Sequence, residues 1–341
     1  MPIPHLDEVA MREASSRQGR LTKPTGSLGR LEELSVRLAG MTGRLDPPLR
    51  NAVVFTLAAD HGVTAEGVSA YPREVTPQMV LNFLHGGAAI NVLARQVGAR
   101  VVVADIGVDA DLPAHPELHA VKVRRGTSNI AVGPALSLPE ANDAVEVGRR
   151  LVREQDLDVA LTGDMGIGNT TASAALICAI TGLEPAVVVG RGTGVDDAGM
   201  QRKLSAVRRA LHINAAAIAN GPMETLAAVG GLEIAGLAGV ILEVAEQRKP
   251  VIIDGFISGA AALVASTIEP EVTGYLIASH RSQELGHQAV LERLGLQPLL
   301  DLDLRLGEGT GAALALPIVR AAVALLNEMA TFDEAGVSDR A

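Results

Sequence analysis

Glu308 sits in Leu304-Arg-Leu-Gly307-Glu308-Gly309-Thr310-Gly311, a glycine-rich turn directly ahead of a long alanine and leucine run. So little side-chain bulk lets backbone approach a ligand closely and leaves one carboxylate standing above it. Two readings fit: a working acid or base in a pocket, or an acid placed near the N-terminal dipole of a helix. Similar glycine-plus-polar clusters recur as Asp60-His-Gly62, Asp105-Ile-Gly107, Gly163-Asp-Met-Gly-Ile-Gly168, Gly190-Arg-Gly-Thr-Gly194, Asp254-Gly-Phe256 and Ser279-His-Arg281. That recurrence favours an enzyme with one composite site.

The run Thr162-Gly-Asp-Met-Gly-Ile-Gly-Asn-Thr-Thr171 is the strongest local signal, joining a strand end to a helix start. Backbone N–H groups in such a loop, with the helix dipole behind them, suit a phosphate. The same run also fits a tight turn capped by Thr170 or Thr171. It is not a P-loop, because the lysine of that pattern is absent, and it mimics the dinucleotide fingerprint only in part. In the second loop, Arg191 can hold a phosphate or carboxylate by a bidentate fork, or close the loop on Asp196 or Asp197. Asp60-His61 lacks a partner at metal-ligand spacing, and His280 with His287, seven apart, is a weak pair, so no metal is expected. No Gly-x-Ser-x-Gly elbow supports serine chemistry. Met79 and Met165 read as pocket walls or core, and Gln78 as a hydrogen-bonding group for a heterocycle.

These clusters need elements to position them. Short β-rich runs, mostly apolar and not alternating, fall at 52–58, 100–106, 159–162, 186–189, 250–253, 274–278 and 298–302, and such runs belong in a sheet covered on both faces. Helical patterns alternate with them, at 77–97, 143–154, 171–180 and 199–214. Strand followed by helix, repeated, predicts a right-handed, mostly parallel α/β arrangement. The clusters then lie beyond the C-terminal strand ends, where open α/β sheets bind ligands. Leucines at three- and four-residue steps from Leu28 predict a helix near the start, and the last thirty residues also read as helical. The two ends together predict a small helical domain, 1–50 plus 311–341, beside a large α/β domain, 51–310.

With 39 acidic against 29 basic residues, net charge −10, no Trp, two Tyr and four Phe, a nucleic-acid surface is disfavoured. The single cysteine, Cys178, allows no intrachain disulfide and fits a reduced, cytoplasmic setting. The N-terminal residues carry no basic and apolar leader pattern, so no signal peptide is expected. The apolar stretches at 310–326 and 256–268 are broken by Gly, Pro or Arg, which predicts buried helices and no membrane span. Two further classes fit the loops: a nicotinamide-dinucleotide oxidoreductase, which wants a ribose-binding acid not found at its distance, and a non-catalytic nucleotide binder, which leaves Glu308 idle.

The chain resembles the nicotinate-nucleotide–dimethylbenzimidazole phosphoribosyltransferases of cobalamin biosynthesis nearly end to end. The resemblance is carried by Lys23-Pro-Thr-Gly-Ser-Leu-Gly-Arg-Leu-Glu32, Ala59-Asp-His-Gly-Val63, Glu74-Val-Thr-Pro-Gln-Met-Val80, Arg125-Gly-Thr-Ser-Asn-Ile130 and Gly163-Asp-Met-Gly-Ile-Gly-Asn-Thr-Thr171. It continues through Gly190-Arg-Gly-Thr-Gly194, Ile253-Asp-Gly-Phe-Ile-Ser258, Ser279-His-Arg-Ser282 and Leu306-Gly-Glu-Gly-Thr-Gly311. It implies a homodimer with a Rossmann-like large domain and a helical domain from both chain ends. It also implies transfer of phosphoribose from nicotinate mononucleotide to 5,6-dimethylbenzimidazole, with inversion at C1′ and no cofactor. Glu308 maps onto the family's catalytic base. Gln78, Met79, Met165 and Leu306 map onto the acceptor pocket. Gly166, Gly168, Asn169, Thr170 and Thr171, with Gly190, Arg191, Gly192 and Gly194, map onto the phosphoribosyl-binding loops. Relatives often carry glutamate at Asp164, whose shorter side chain makes it at most an auxiliary.

Overall fold

The run Ala52–Ala59 has one polar side chain in eight residues and forms strand β1, buried along its whole length. Five more strands join it: β2 (Ala99–Gly107), β3 (Leu118–Ala120), β4 (Val159–Met165), β5 (Val251–Ile253) and β6 (Leu276–Ala278). In this computed structural model, which describes residues 2–192 and 194–338, they make one all-parallel sheet in the order β3-β2-β1-β4-β5-β6. The chain builds outward from β1 to β3, then returns to β1's other side with β4. The strand order therefore reverses between β1 and β4, the place where open α/β sheets leave a crevice.

Helices α1 (Glu8–Gln18) and α2 (Arg30–Thr42) precede the sheet, and α3 (Val75–Leu84) and α4 (Ala89–Val97) connect β1 to β2. Helix α5 (Leu138–Arg153) leads into β4. A long helical excursion follows: α6 (Asn169–Thr181), α7 (Pro185–Val188), α8 (Asp197–Ile213), α9 (Ala215–Ile218), α10 (Pro222–Val229) and α11 (Leu232–Glu246). Helix α12 (Phe256–Ile268) joins β5 to β6, and α13 (His287–Leu294), α14 (Thr310–Glu328) and α15 (Phe332–Ala335) complete the chain. Helix α11 is buried on nearly every side and crosses α5 so closely that a Cβ on Gly148 or Gly239 would collide with carbonyl oxygens of the facing helix. Cys178 lies free and buried in α6.

Three strand expectations change. Residues 186–189 are not a strand: Pro185 occupies the first turn of α7, where its fixed φ and missing N–H fit a helix start. The run 298–302 makes only an isolated bridge, His280 with Leu300, because Pro298 has no N–H to donate and acids alternate beyond it. At 274–278 the strand begins only at Leu276, after a 3-10 turn over Pro270–Tyr275. The predicted helix 77–97 is two helices, split at Gly86, whose φ of +74° ends α3. Short β3 at the sheet edge lay hidden in a proline-bearing connection.

The chain ends pack on each other. Arg17 donates to the carbonyls of Leu326, Asn327 and Met329, at 2.7, 3.2 and 3.4 Å, and Leu21 bridges Thr331. Helix α14 is long and apolar enough to cross a membrane by length and composition, yet half of it is buried, with α2 and α4 among its neighbours. Arg320 within it donates to the carbonyls of Leu49, Val97 and Arg50, at 2.9, 2.6 and 3.1 Å. Of the 311–341 segment, residues 339–341 lie outside the described residues.

Candidate active site

Three neighbouring strands hold the Glu308 turn. Midway along β1, Thr56 Oγ1 donates to the Glu308 carbonyl at 3.1 Å. At the end of β4, the Glu308 N–H donates to the Asp164 carbonyl at 3.3 Å, and Gly163 lies against Glu308 so tightly that a Cβ there would overlap the Glu308 carbonyl. Just past β5, Asp254 accepts the N–H groups of Gly309 and Ala312 at 3.2 and 3.0 Å, anchoring the N-terminus of α14. Gly307, Glu308 and Gly309 all have positive φ, +83°, +65° and +100°. A non-glycine residue there costs on the order of 1–2 kcal/mol, so surrounding contacts impose the conformation of Glu308.

The Glu308 side chain is buried, and its Oε2 accepts the Ile90 N–H at 3.2 Å, in the first turn of α4. Burial raises its carboxyl above the ordinary range, and the Ile90 N–H opposes the shift. Two more buried carboxyls stand close by. Asp164, accepting from Asn169 Nδ2 at 3.0 Å, is raised well above its ordinary value by burial and by the charges of Asp254, Glu233 and Glu308. Burial pushes Asp254 up to about 7 against the pull of its backbone donors. Three carboxyls raised above their ordinary values therefore surround one turn, the arrangement expected of acid–base chemistry.

Beyond the turn are two adjoining cavities. The smaller, about 110 Å³, is lined by Asp164, Met165, Gly166, Asn169, Thr170, Gly192 and Leu306, with Gly255, His280 and Glu284 among the remaining walls. The larger, about 750 Å³, is lined by Gly190, Arg191, Gly192 and Gly194, and shares Gly192, Glu284 and Arg305 with the first. Two cations stand at their junction. Lys203, fully buried, donates to Thr170 Oγ1 at 3.1 Å and to the Gly190 carbonyl at 2.9 Å; burial lowers it to about 8, with Glu284 opposing. Arg305 donates to the Gly192 carbonyl at 3.0 Å.

The glycine-loop residues thus come together, with exceptions. Gly168 shapes the turn: its φ is +96°, and a Cβ there would meet Thr64 Cγ2 at 2.9 Å. Thr171 is buried off both linings. Arg191 pairs with Asp197 and donates to the Val195 carbonyl at 2.9 Å, so of its two readings the loop-closing pair is the one formed. The carboxyl of Glu308 lines neither cavity, although its neighbours Leu306 and Gly307 do. Gln78 is exposed and Met79 half-buried on α3, away from both linings. That helix is nevertheless tied to the loop, because the Ile167 N–H donates to Thr76 Oγ1 at 3.1 Å. Sequence reading missed Lys203 and Arg305. Lys203 resembles any lysine of a surface helix, and only its burial marks it; Arg305, two residues before Gly307, was close enough to the turn to be noticed.

His61 serves elsewhere: its Nε2 pairs with Glu233 Oε1 at 2.7 Å, both fully buried. Beyond it, a cavity of about 680 Å³ lies past the ends of β1 and β2, among Asp60, Tyr71, Arg73 and Arg125. Burial lowers His280 to about 4 and His287 to about 3, so both are neutral at pH 7. Among the described residues no three His, Cys, Asp or Glu side chains are grouped to hold a metal.

A family model described as a phosphoribosyltransferase matches residues 3–337. A nicotinate-nucleotide–dimethylbenzimidazole phosphoribosyltransferase of Chloroflexus aggregans is 58% identical over 338 residues, covering 98% of this chain and 96% of that protein. One from Geobacter sulfurreducens is 54% identical over 337 residues, with the same coverage of each. The crystal structure of the enzyme of that name from Thermus thermophilus superposes with a TM-score of 0.92 at 50% identity, covering 98% of this chain and all of that one.

Proposed function

We infer the chemistry of this site from the family to which the chain belongs, the nicotinate-nucleotide–dimethylbenzimidazole phosphoribosyltransferases. The chain is a phosphoribosyltransferase that moves phosphoribose from nicotinate mononucleotide to dimethylbenzimidazole. One nitrogen of the acceptor ring attacks C1′ of the ribose as the bond from C1′ to the nicotinate nitrogen breaks, and that bonding pair leaves with nicotinate. The other acceptor nitrogen gives its proton to Glu308. A carboxylate placed there stabilises the positive charge that the attacking ring gains. Nicotinate, cationic at its ring nitrogen while bonded to ribose, departs as a neutral ring nitrogen and needs no strong acid. Attack on the face opposite the leaving group inverts C1′, from β substrate to α product.

One observation carries this reading: a buried carboxyl, raised by its surroundings, is fixed in a left-handed turn by three strands beside two adjoining cavities with two cations at their junction. The phosphate belongs with Lys203, Arg305 and the N–H groups of the two glycine loops. The flat acceptor belongs near Met165 and Leu306, with Gln78 and Met79 of α3 approaching it when it binds. Asp164, whose raised carboxyl favours the protonated form, is an auxiliary donor and not a second base. By the same resemblance the chain forms a homodimer in the cytoplasm, and its packed ends are a small helical domain. Incubating purified protein with nicotinate mononucleotide and dimethylbenzimidazole tests the chemistry: nicotinate and α-ribazole 5′-phosphate should appear together. Release of nicotinate with a β-linked product would refute single displacement.

A further inference from the structure

Glu284 has no part in the proton transfer, yet it is built into the wall common to both cavities. It lies near the end of the segment that leads from β6 into α13, 7% exposed, its backbone tied by a bond from its own N–H to Ser282 Oγ at 3.3 Å and by its carbonyl to the His287 N–H at 3.0 Å. Its Oε2 is buried without a hydrogen-bond partner. Leaving such an oxygen unsatisfied is costly, and structures that keep one commonly satisfy it with a ligand or water. Gly190 is glycine for this reason: a Cβ there would overlap Glu284 Oε2. On the other side of the same loop, a Cβ on Gly192 would press on Lys203 Nζ and Thr170 Oγ1, each at 2.9 Å. The loop thus runs between a carboxylate and an ammonium, with the ammonium spent on Thr170 and on the Gly190 carbonyl.

A nucleoside monophosphate has two unlike ends to offer that loop. Its phosphate is anionic and is repelled by a carboxylate, so it belongs on the side of Lys203 and Arg305. Its ribose carries the substrate's hydroxyl donors, and a carboxylate is an acceptor only. We propose that Glu284 recognises the 2′,3′-diol of the bound phosphoribosyl group and makes the enzyme selective for ribosyl over deoxyribosyl nucleotides. The assignment rests on the phosphoribosyl reading of the two loops given above.

The test measures kcat/KM for nicotinate mononucleotide and for its 2′-deoxy and 3′-deoxy analogues, with dimethylbenzimidazole as acceptor, in the wild type, Glu284→Ala and Glu284→Gln. A charge-assisted bond to a hydroxyl predicts a wild-type preference for the ribosyl substrate of about 10- to 100-fold over at least one analogue. Glu284→Ala should lower kcat/KM for the ribosyl substrate by a similar factor while leaving the deoxy analogue within about threefold, since that analogue has no bond to lose. Comparing ratios between variants cancels the intrinsic reactivity of the deoxy sugar. Glu284→Gln, which keeps the shape, should lose the charge-assisted part of the preference, and it decides the matter on the same ratio should Glu284→Ala not fold. An unchanged ratio in the variants, or an equal loss on ribosyl and deoxyribosyl substrates, would overturn the role of Glu284. A wild type that releases no nicotinate from the parent nucleotide would instead fall on the phosphoribosyl reading itself.

Discussion

Replacing Glu308 by glutamine isolates the proton transfer from everything else the turn does. The amide oxygen of glutamine can accept the Ile90 N–H that Glu308 Oε2 now accepts at 3.2 Å. Glu and Gln bear the positive φ of +65° at similar cost, so the backbone strain cancels between them. What disappears is the ability to take a proton. A positioned general base contributes roughly 10²- to 10⁴-fold, or about 3 to 5 kcal/mol of barrier, and kcat in Glu308→Gln should fall by that factor with KM for nicotinate mononucleotide nearly unchanged. Burial places the Glu308 carboxyl above the ordinary range, so the wild-type rate should fall on the acid side at a higher pH than an unperturbed glutamate would give. That limb should be absent in Glu308→Gln. Single-turnover release of nicotinate, followed from about pH 4.5 to 8, reads both effects. A variant within about threefold of wild type that keeps the acid limb would refute Glu308 as the base.

Three further perturbations follow from the geometry. Gly163→Ala puts a methyl where the Glu308 carbonyl lies, so the turn must shift. Its kcat should drop at least about tenfold, with circular dichroism unchanged; a fully active Gly163→Ala would show that the turn's position does not matter. Lys203→Met removes a buried ammonium whose pKa is lowered to about 8. Its KM for nicotinate mononucleotide should rise about tenfold or more, and the rise in wild-type KM above about pH 8 should vanish with it; a pH-independent wild-type KM would count against the phosphate assignment. Asp254 is protonated more readily folded than unfolded, so its contribution to stability is complete below about pH 4 and is lost as pH rises through about 7. Relative to Asp254→Asn, the wild type should therefore lose stability across that window, by up to about 4 kcal/mol. Urea unfolding at steps of one pH unit measures the difference, and a flat difference would contradict the shift.

Much of the fold was legible because its physical causes are local. The runs at 52–58 and 100–106 needed cover on both faces, and each is a strand of nearly those bounds, β1 buried throughout and β2 from Val102 onward. Pro185 defeated the same rule at 186–189, since a run of valines after a proline fits the start of a buried helix as well as a strand. Helix α11 escaped notice for a related reason: being buried all round, it has no polar face to reveal its period.

The site divides along the same line. Its chemical inventory was readable in one dimension, because a carboxylate between glycines and glycine loops before helices are local patterns with local causes. Which of those groups meet depends on the sheet order, and the reversal between β1 and β4 brings Thr56, Asp164 and Asp254 onto one turn from positions about 50 to 250 residues away. Burial is likewise a property of the assembled molecule. It turns Lys203 from an ordinary helix lysine into a cation held between two loops, and it raises the carboxyls of Asp164, Asp254 and Glu308. The order of residues was enough to name the groups available and to put them at strand ends. Their proximity and protonation belong to the folded molecule, because both depend on desolvation and on charges far apart along the chain.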